Sequence, residues 1–171
     1  AQLVIGEDPT RIEHLWQMMY RQHFWHSHGV VRATALAGID IALWDIVAKS
    51  KGVSLAEAVG GRKREVLPAY ASLVRYGNPA DVEKYAAKAV SEGFETVKLH
   101  EIALDCIEAG RKGAPEPVKL VTDVNCNWSH ETAHELMPHM KRLGLYWVEE
   151  PVFPPDDEVA LNALQTQYET S

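Results

Sequence analysis

The chain has 171 residues, a formal net charge of -7 and 46% hydrophobic residues. That length allows one ordinary domain with a sizeable core, and the apolar fraction excludes a disordered chain. A sequence pI near 5.6 with no basic stripe argues against nucleic acid as a partner, and no apolar run has the length of a membrane span.

The chain opens on "AQLVIGEDP" without a methionine and closes straight after a helical pattern, so both ends read as cut. Asp8-Pro9 and the box Thr10-x-x-Glu13 predict a helix start, followed at helical spacing by Ile12, Leu15, Trp16, Met19, Tyr20, His23 and Phe24. "RATALAGIDIALWDIVAKS", from Arg32 to Ser50, predicts a second helix with a broad apolar face and Gly52 as its C-cap. Ser54-x-x-Glu57 opens a short helix that Gly60-Gly61 ends. The first 61 residues thus read as helices only.

The pattern then changes. Strands are predicted near 67–74, 95–101, 118–124 and 145–149. Between and after them lie helical runs: "NPADVEKYAAKAVSEG", "LDCIEAGRKGA", Ser129 to Gly144 and "DDEVALNALQTQ". Strand and helix alternating four times predict βα units and a parallel sheet. No Gly-x-Gly-x-x-Gly and no phosphate loop follow a strand, so an open nucleotide-binding sheet has no support. Four such units fit a small open sheet or half of an eight-stranded barrel; in barrels, chemistry sits at the carboxyl ends of the strands, where "VTDVN" and "WVEEP" carry their acids.

Side chains alternate along a strand. Lys98 and His100 share one face of the second strand, Asp123 and Asn125 one face of the third, and Glu149 ends the fourth. Like-facing ends of neighbouring strands would bring all five to one mouth. Asp123 and Glu149 are hard oxygen donors suited, with a third carboxylate and waters, to Mg²⁺. A neighbouring ammonium and metal would keep His100 a neutral base, poised to take a proton next to a carboxylate. Glu150 is ambiguous, since neighbours on a strand point opposite ways. Cys126 reads as a small buried residue, and Trp128 and Trp147 as packing. The two cysteines fit a reducing cytoplasm. His23, His26 and His28 read as a helix-end surface, because no Cys or carboxylate accompanies them at ligand spacing.

These motifs together resemble one family. "AGIDIALWDIVAKSKGVSLAEAVGG" is similar to the helix that links the capping domain to the barrel in the mandelate racemase and muconate-lactonizing group of the enolase superfamily. "VKLHE" resembles that group's Lys-x-Lys strand with His100 in place of the second lysine, "DVN" its Asp-x-Asn metal strand, and "WVEEP" its next metal strand. The resemblance implies an α/β fold: about the first half of a (β/α)8 TIM-type barrel, residues 63–171, preceded by the helical part of an α+β capping domain, residues 1–62. It implies Asp123 and Glu149 as Mg²⁺ ligands, His100 as the strand-two base, Lys98 as its companion and Asn125 beside base and metal. The expected reaction is Mg²⁺-assisted removal of a proton α to a carboxylate, giving an enolate, as in a racemase, a cycloisomerase or an acid-sugar dehydratase. A small carboxylate, a sugar acid or α-hydroxy acid, is the expected substrate, and a homo-oligomer in the cytoplasm the expected form. The third metal ligand and the later acid/base residues would lie beyond this chain. The second reading is a truncated or degenerate, non-catalytic half-barrel serving as a structural or interaction module.

Overall fold

Two separate apolar cores divide the chain. Residues up to Leu67 and residues from Pro68 form two compact units, each with its own buried cluster. The computed structural model describes residues 3–22 and 29–168. His23, Phe24, His26 and His28 lie outside the described residues.

The first unit is helical: α1 (Ile12–Gln22), α2 (Val30–Lys51) and α3 (Leu55–Ala58). Ile12 and Leu15 of α1 meet Leu43 and Val47 of α2 in its core. The expected box at Thr10 does not form. Asp8 takes its place, accepting from the Thr10 N–H at 2.9 Å and the Thr10 hydroxyl at 2.8 Å in a local turn. Ser54 and Glu57 do form the reciprocal box, and α2 ends at Gly52 in the left-handed conformation that glycine adopts without a Cβ penalty. α2 buries only Leu43, Val47 and Ala48, while Ile41 and Ile46 are exposed. Its buried stripe is narrower than its apolar face, because among the described elements of the unit α1 and α3 are those that pack against it.

The second unit alternates strand and helix: β1 (Ala71–Ser72), α4 (Pro79–Ser91), β2 (Thr96–Leu99), α5 (Leu104–Gly113), β3 (Lys119–Asp123), α6 (His130–Arg142), β4 (Leu145–Glu149) and α7 (Glu158–Tyr168). All pairings are parallel and the spatial order is β1-β2-β3-β4, as the alternation predicts. β1 is much shorter than the predicted 67–74. Among the described residues it has β2 as its one neighbour, and Pro68 has no N–H to offer a ladder. One further bond, Leu73 N–H to the Lys98 carbonyl at 2.9 Å, carries the pairing past its end.

Helix starts follow the sequence signals. Asn78 accepts from the Asp81 N–H with Pro79 in the first turn, Ser129 from Thr132, and Asp157 from Ala160. Val97, Leu99, Leu120 and Val124 form the helix-facing side of the sheet and share a core with Val82, Ala86, Ile107, Ala133 and Met140. α5 can lie this close because glycines stand at two contacts. A Cβ on Gly110 would fall 2.4 Å from Leu99 Cδ1, and one on Gly113 would fall 2.3 Å from the Glu83 carbonyl oxygen. Arg111 ties the amino-end side of the sheet together. Its guanidinium donates to the carbonyls of Ala114, Val118, Leu143 and Gly144, each within 2.9 Å.

Candidate active site at the carboxyl ends of the strands

Register decides which side chains meet. Asp123 pairs directly with Glu149, and Lys98 pairs with Val121, two positions before Asp123 on the same face. A shift in the β3–β4 pairing precedes this: Leu120 stands opposite Leu145, yet Val121 stands opposite Trp147. One extra β4 residue, Tyr146, is thus bulged out. Continued without the bulge, the ladder would set Val148 opposite Asp123 and turn Glu149 toward the helices. The bulge resolves the choice between Glu149 and Glu150 in favour of Glu149.

The result is a cation clasped by two acids. Lys98 Nζ lies 2.9 Å from Asp123 Oδ2 and 2.8 Å from Glu149 Oε2. Lys98 is 7% exposed and Asp123 6%, whereas Glu149 is half-buried. Burial of the ammonium favours its neutral form. The hydrogen bonds it donates to Glu149 and Asp123, with their charges, outweigh that and raise the Lys98 pKa above its ordinary value. Burial likewise pushes the Asp123 carboxyl up, but the Lys98 hydrogen bond and the Asn125 N–H outweigh it and hold the carboxyl below the usual range.

His100 and Asn125 flank this pair. His100 Nε2 is 3.6 Å from Asp123 Oδ2, and His100 Nδ1 contacts the Leu73 carbonyl oxygen. A carbonyl only accepts, so Nδ1 is the donor in that contact, and Nε2 is the ring nitrogen on the Asp123 side. Asn125 gives Asp123 Oδ1 two hydrogen bonds, from its amide side chain at 2.7 Å and its backbone N–H at 3.0 Å. All five residues proposed from the sequence therefore lie together at the carboxyl ends of β2, β3 and β4.

The backbone here is unusual. Asn125, Cys126 and Glu150 all have positive φ, 49°, 60° and 46°, and they are the only such non-glycine residues among those described. Such strain collects where surrounding structure holds the chain for a purpose. The two loops support each other, Cys126 N–H donating to the Glu150 carbonyl at 2.8 Å. Cys126 is half-buried, not the small core residue expected, because its left-handed turn carries it out of the strand. Trp128 is packing as expected, buried and donating to the Ile102 carbonyl at 2.9 Å. Trp147 does more than pack: its indole N–H reaches Glu149 Oε2 at 3.2 Å.

Sequence reasoning missed three residues. Trp147 shares a strand face with Glu149, so alternation could have flagged it. Arg75 is the first charged residue after β1, the position at which the acids of β3 and β4 drew attention; its Nε donates to the His100 carbonyl at 2.6 Å. Glu101 falls on the apolar face of Val97 and Leu99 and is 2% exposed, its carboxylate accepting from the Tyr76 N–H at 2.6 Å.

Among the described residues no three His, Cys, Asp or Glu converge to hold a metal. Asp123 and Glu149 supply two hard carboxylates that already share one cation, the Lys98 ammonium. That donor set fits Mg²⁺, which protein often holds by one or two carboxylates, with water and substrate oxygens completing the shell.

Residues 1–60 match the family model for the mandelate racemase / muconate lactonizing enzyme N-terminal domain, and residues 81–171 that for the enolase C-terminal domain-like family. A D-galactonate dehydratase of Variovorax paradoxus is 33% identical over 172 residues, covering 92% of this chain and 44% of that enzyme. A D-galactarolactone cycloisomerase of Agrobacterium fabrum is 34% identical over 160 residues, covering 88% and 42%. The crystal structure of the 3,6-anhydro-D-galactonate cycloisomerase from Zobellia galactanivorans superposes with a TM-score of 0.90 at 27% identity, covering 99% of this chain and 49% of that one. The chain thus spans less than half the length of the curated relatives it matches.

Proposed function

Because the chain belongs to the enolase superfamily, in its mandelate racemase and muconate lactonizing group, we propose that the protein removes the proton α to the carboxylate of a sugar acid. One observation carries the reading: Lys98, Asp123 and the half-buried Glu149 form a charged cluster at the strand ends, with His100 Nε2 3.6 Å from Asp123. The two curated relatives, a sugar-acid dehydratase and a sugar-lactone cycloisomerase, support the substrate class. No observation favours the non-catalytic module.

In this reading His100 takes the α-proton on Nε2, and the electrons of the broken C–H bond move into the substrate carboxylate as an enolate. The Lys98 ammonium presents positive charge to the oxygens where that negative charge develops. Asn125 holds Asp123 through both its N–H groups and fixes the carboxylate's direction. Asp123 and Glu149 would hold Mg²⁺, which when bound supplies Lewis-acid stabilisation of the substrate carboxylate. The enolate is then protonated, or expels a β-oxygen substituent, which separates racemases from dehydratases. The reading extends to a homo-oligomer, as the family resemblance implies, and the two free cysteines, Cys106 and Cys126, suit a reducing cytoplasm.

The test is exchange of the α-hydrogen with deuterated solvent, across sugar acids and α-hydroxy acids, with Mg²⁺ present. His100→Asn keeps shape and polarity without a titrating nitrogen. Exchange falling on the order of 10²- to 10⁴-fold, with Mg²⁺ binding retained, is the expected result. Exchange as fast as in the parent removes His100 from the role of base.

A further inference from the structure

Lys98 is neutralised by two carboxylates, but a second cation stands at the same mouth without an acid. Arg75 follows β1 and is exposed. Its guanidinium Nε donates to the His100 carbonyl at 2.6 Å and its Nη2 to Asn125 Oδ1 at 3.5 Å. Both acceptors are neutral, and Arg75 makes no ion pair among the described residues. A guanidinium has five donors in a planar fork, and two of them account for these contacts.

The segment that carries Arg75 is clamped. Glu101, 2% exposed, accepts from the backbone N–H of Tyr76 at 2.6 Å and of Gly77 at 3.3 Å. Tyr76 also stacks on Tyr85 of α4, ring centroids 4.7 Å apart and 7° from parallel. A buried carboxylate spent on two backbone amides is a costly way to hold a loop, and it holds this one directly beside Arg75. The guanidinium is therefore a placed group, and a planar fork with free donors matches a carboxylate in two-point contact.

Its position says which carboxylate. Arg75 borders the Lys98–Asp123–Glu149 cluster through Asn125 and the His100 carbonyl, and pairs with none of its three members. With the reacting carboxylate assigned to Lys98 and the two acids, a second carboxylate on the same substrate is the group left for this guanidinium. Resting on the α-proton abstraction proposed above, we infer that Arg75 binds the distal carboxylate of a dicarboxylic sugar acid, so that the site prefers aldarates to aldonates.

The test uses the protein in its full natural length with Mg²⁺, and matched substrates that differ only at the far carbon: galactarate with galactonate, and glucarate with gluconate. Parent, Arg75→Gln and Arg75→Lys are compared by α-deuterium exchange kinetics and by calorimetric binding. The parent should prefer the aldarate of a pair. Arg75→Gln should raise KM and Kd for that aldarate about tenfold to a hundredfold, the effect of losing charge-assisted hydrogen bonds, and move the aldonate little. Arg75→Lys should recover part of the difference, keeping charge without the fork. An equal loss of binding for both members of a pair, or no aldarate preference in the parent, overturns the inference. If the parent binds aldarates preferentially but exchanges no α-hydrogen, and Arg75→Gln abolishes the preference, the inference stands and the proposed reaction falls.

Discussion

Replacing Lys98 by Met tests the charged cluster directly. The substitution keeps most of the apolar stem and deletes the ammonium that lies within 3 Å of both Asp123 and Glu149. Removing one partner of a buried ion pair costs about 3–5 kcal/mol, because the other charge stays behind uncompensated. Asp123 is buried enough to feel that cost, while water reaches half-buried Glu149, so the lower end applies, about 3 kcal/mol. For a chain of this size that lowers Tm by about 6–12 °C. The assay is thermal unfolding across pH in the presence of a chelator. The Asp123 pKa is depressed, so its contribution is present above the ordinary carboxylate value and is lost as pH falls through the lower folded value. The Lys98 pKa is raised, so its contribution is present below the ordinary lysine value and is lost as pH rises through the higher folded value. The gap between parent and variant should be widest between those limits and close at both. Added Mg²⁺ should stabilise the variant more than the parent, since no ammonium competes for the two carboxylates; binding to the native state alone adds RT ln(1 + [L]/Kd). Equal Tm values at neutral pH, or a gap indifferent to pH, would refute the assignment of these three residues to one coupled cluster.

Two structural predictions accompany the exchange and specificity tests already described. Gly113→Ala places a Cβ 2.3 Å from the Glu83 carbonyl oxygen, a rigid backbone atom. The overpacking, about 1–3 kcal/mol, exceeds the gain of up to about 1 kcal/mol in helix propensity, so the urea midpoint should fall; a rise would show that α4 and α5 separate freely. Arg111→Met strips four carbonyls of their donor at the entries to β3 and β4 and should lower stability by about 3 kcal/mol in urea unfolding, with Arg111→Lys recovering little because an ammonium cannot reproduce the fork. Full stability in the Lys variant would contradict that account.

Much of this molecule was legible in one dimension. Alternating apolar strands and capped helices announced the parallel βα units, because strand and helix periods are local properties of the chain. Asn78-Pro79, Ser54-x-x-Glu57 and Ser129 marked helix starts for the same reason: a cap is satisfied within three residues. Lys98, His100, Asp123, Asn125 and Glu149 could be nominated because strand ends and side-chain alternation are readable from spacing.

Other features depend on distance through space. Glu101 and Arg111 act on backbone groups far along the chain, and no local pattern names their partners. The failed box at Thr10 shows the limit even at short range, since Asp8 competed for the same hydroxyl. The pairing of Asp123 with Glu149 turned on one bulged residue, Tyr146, between β3 and β4. Alternation names which residues of a single strand share a face. Which residue of the next strand stands opposite is decided by register, and register is a property of two strands packed together.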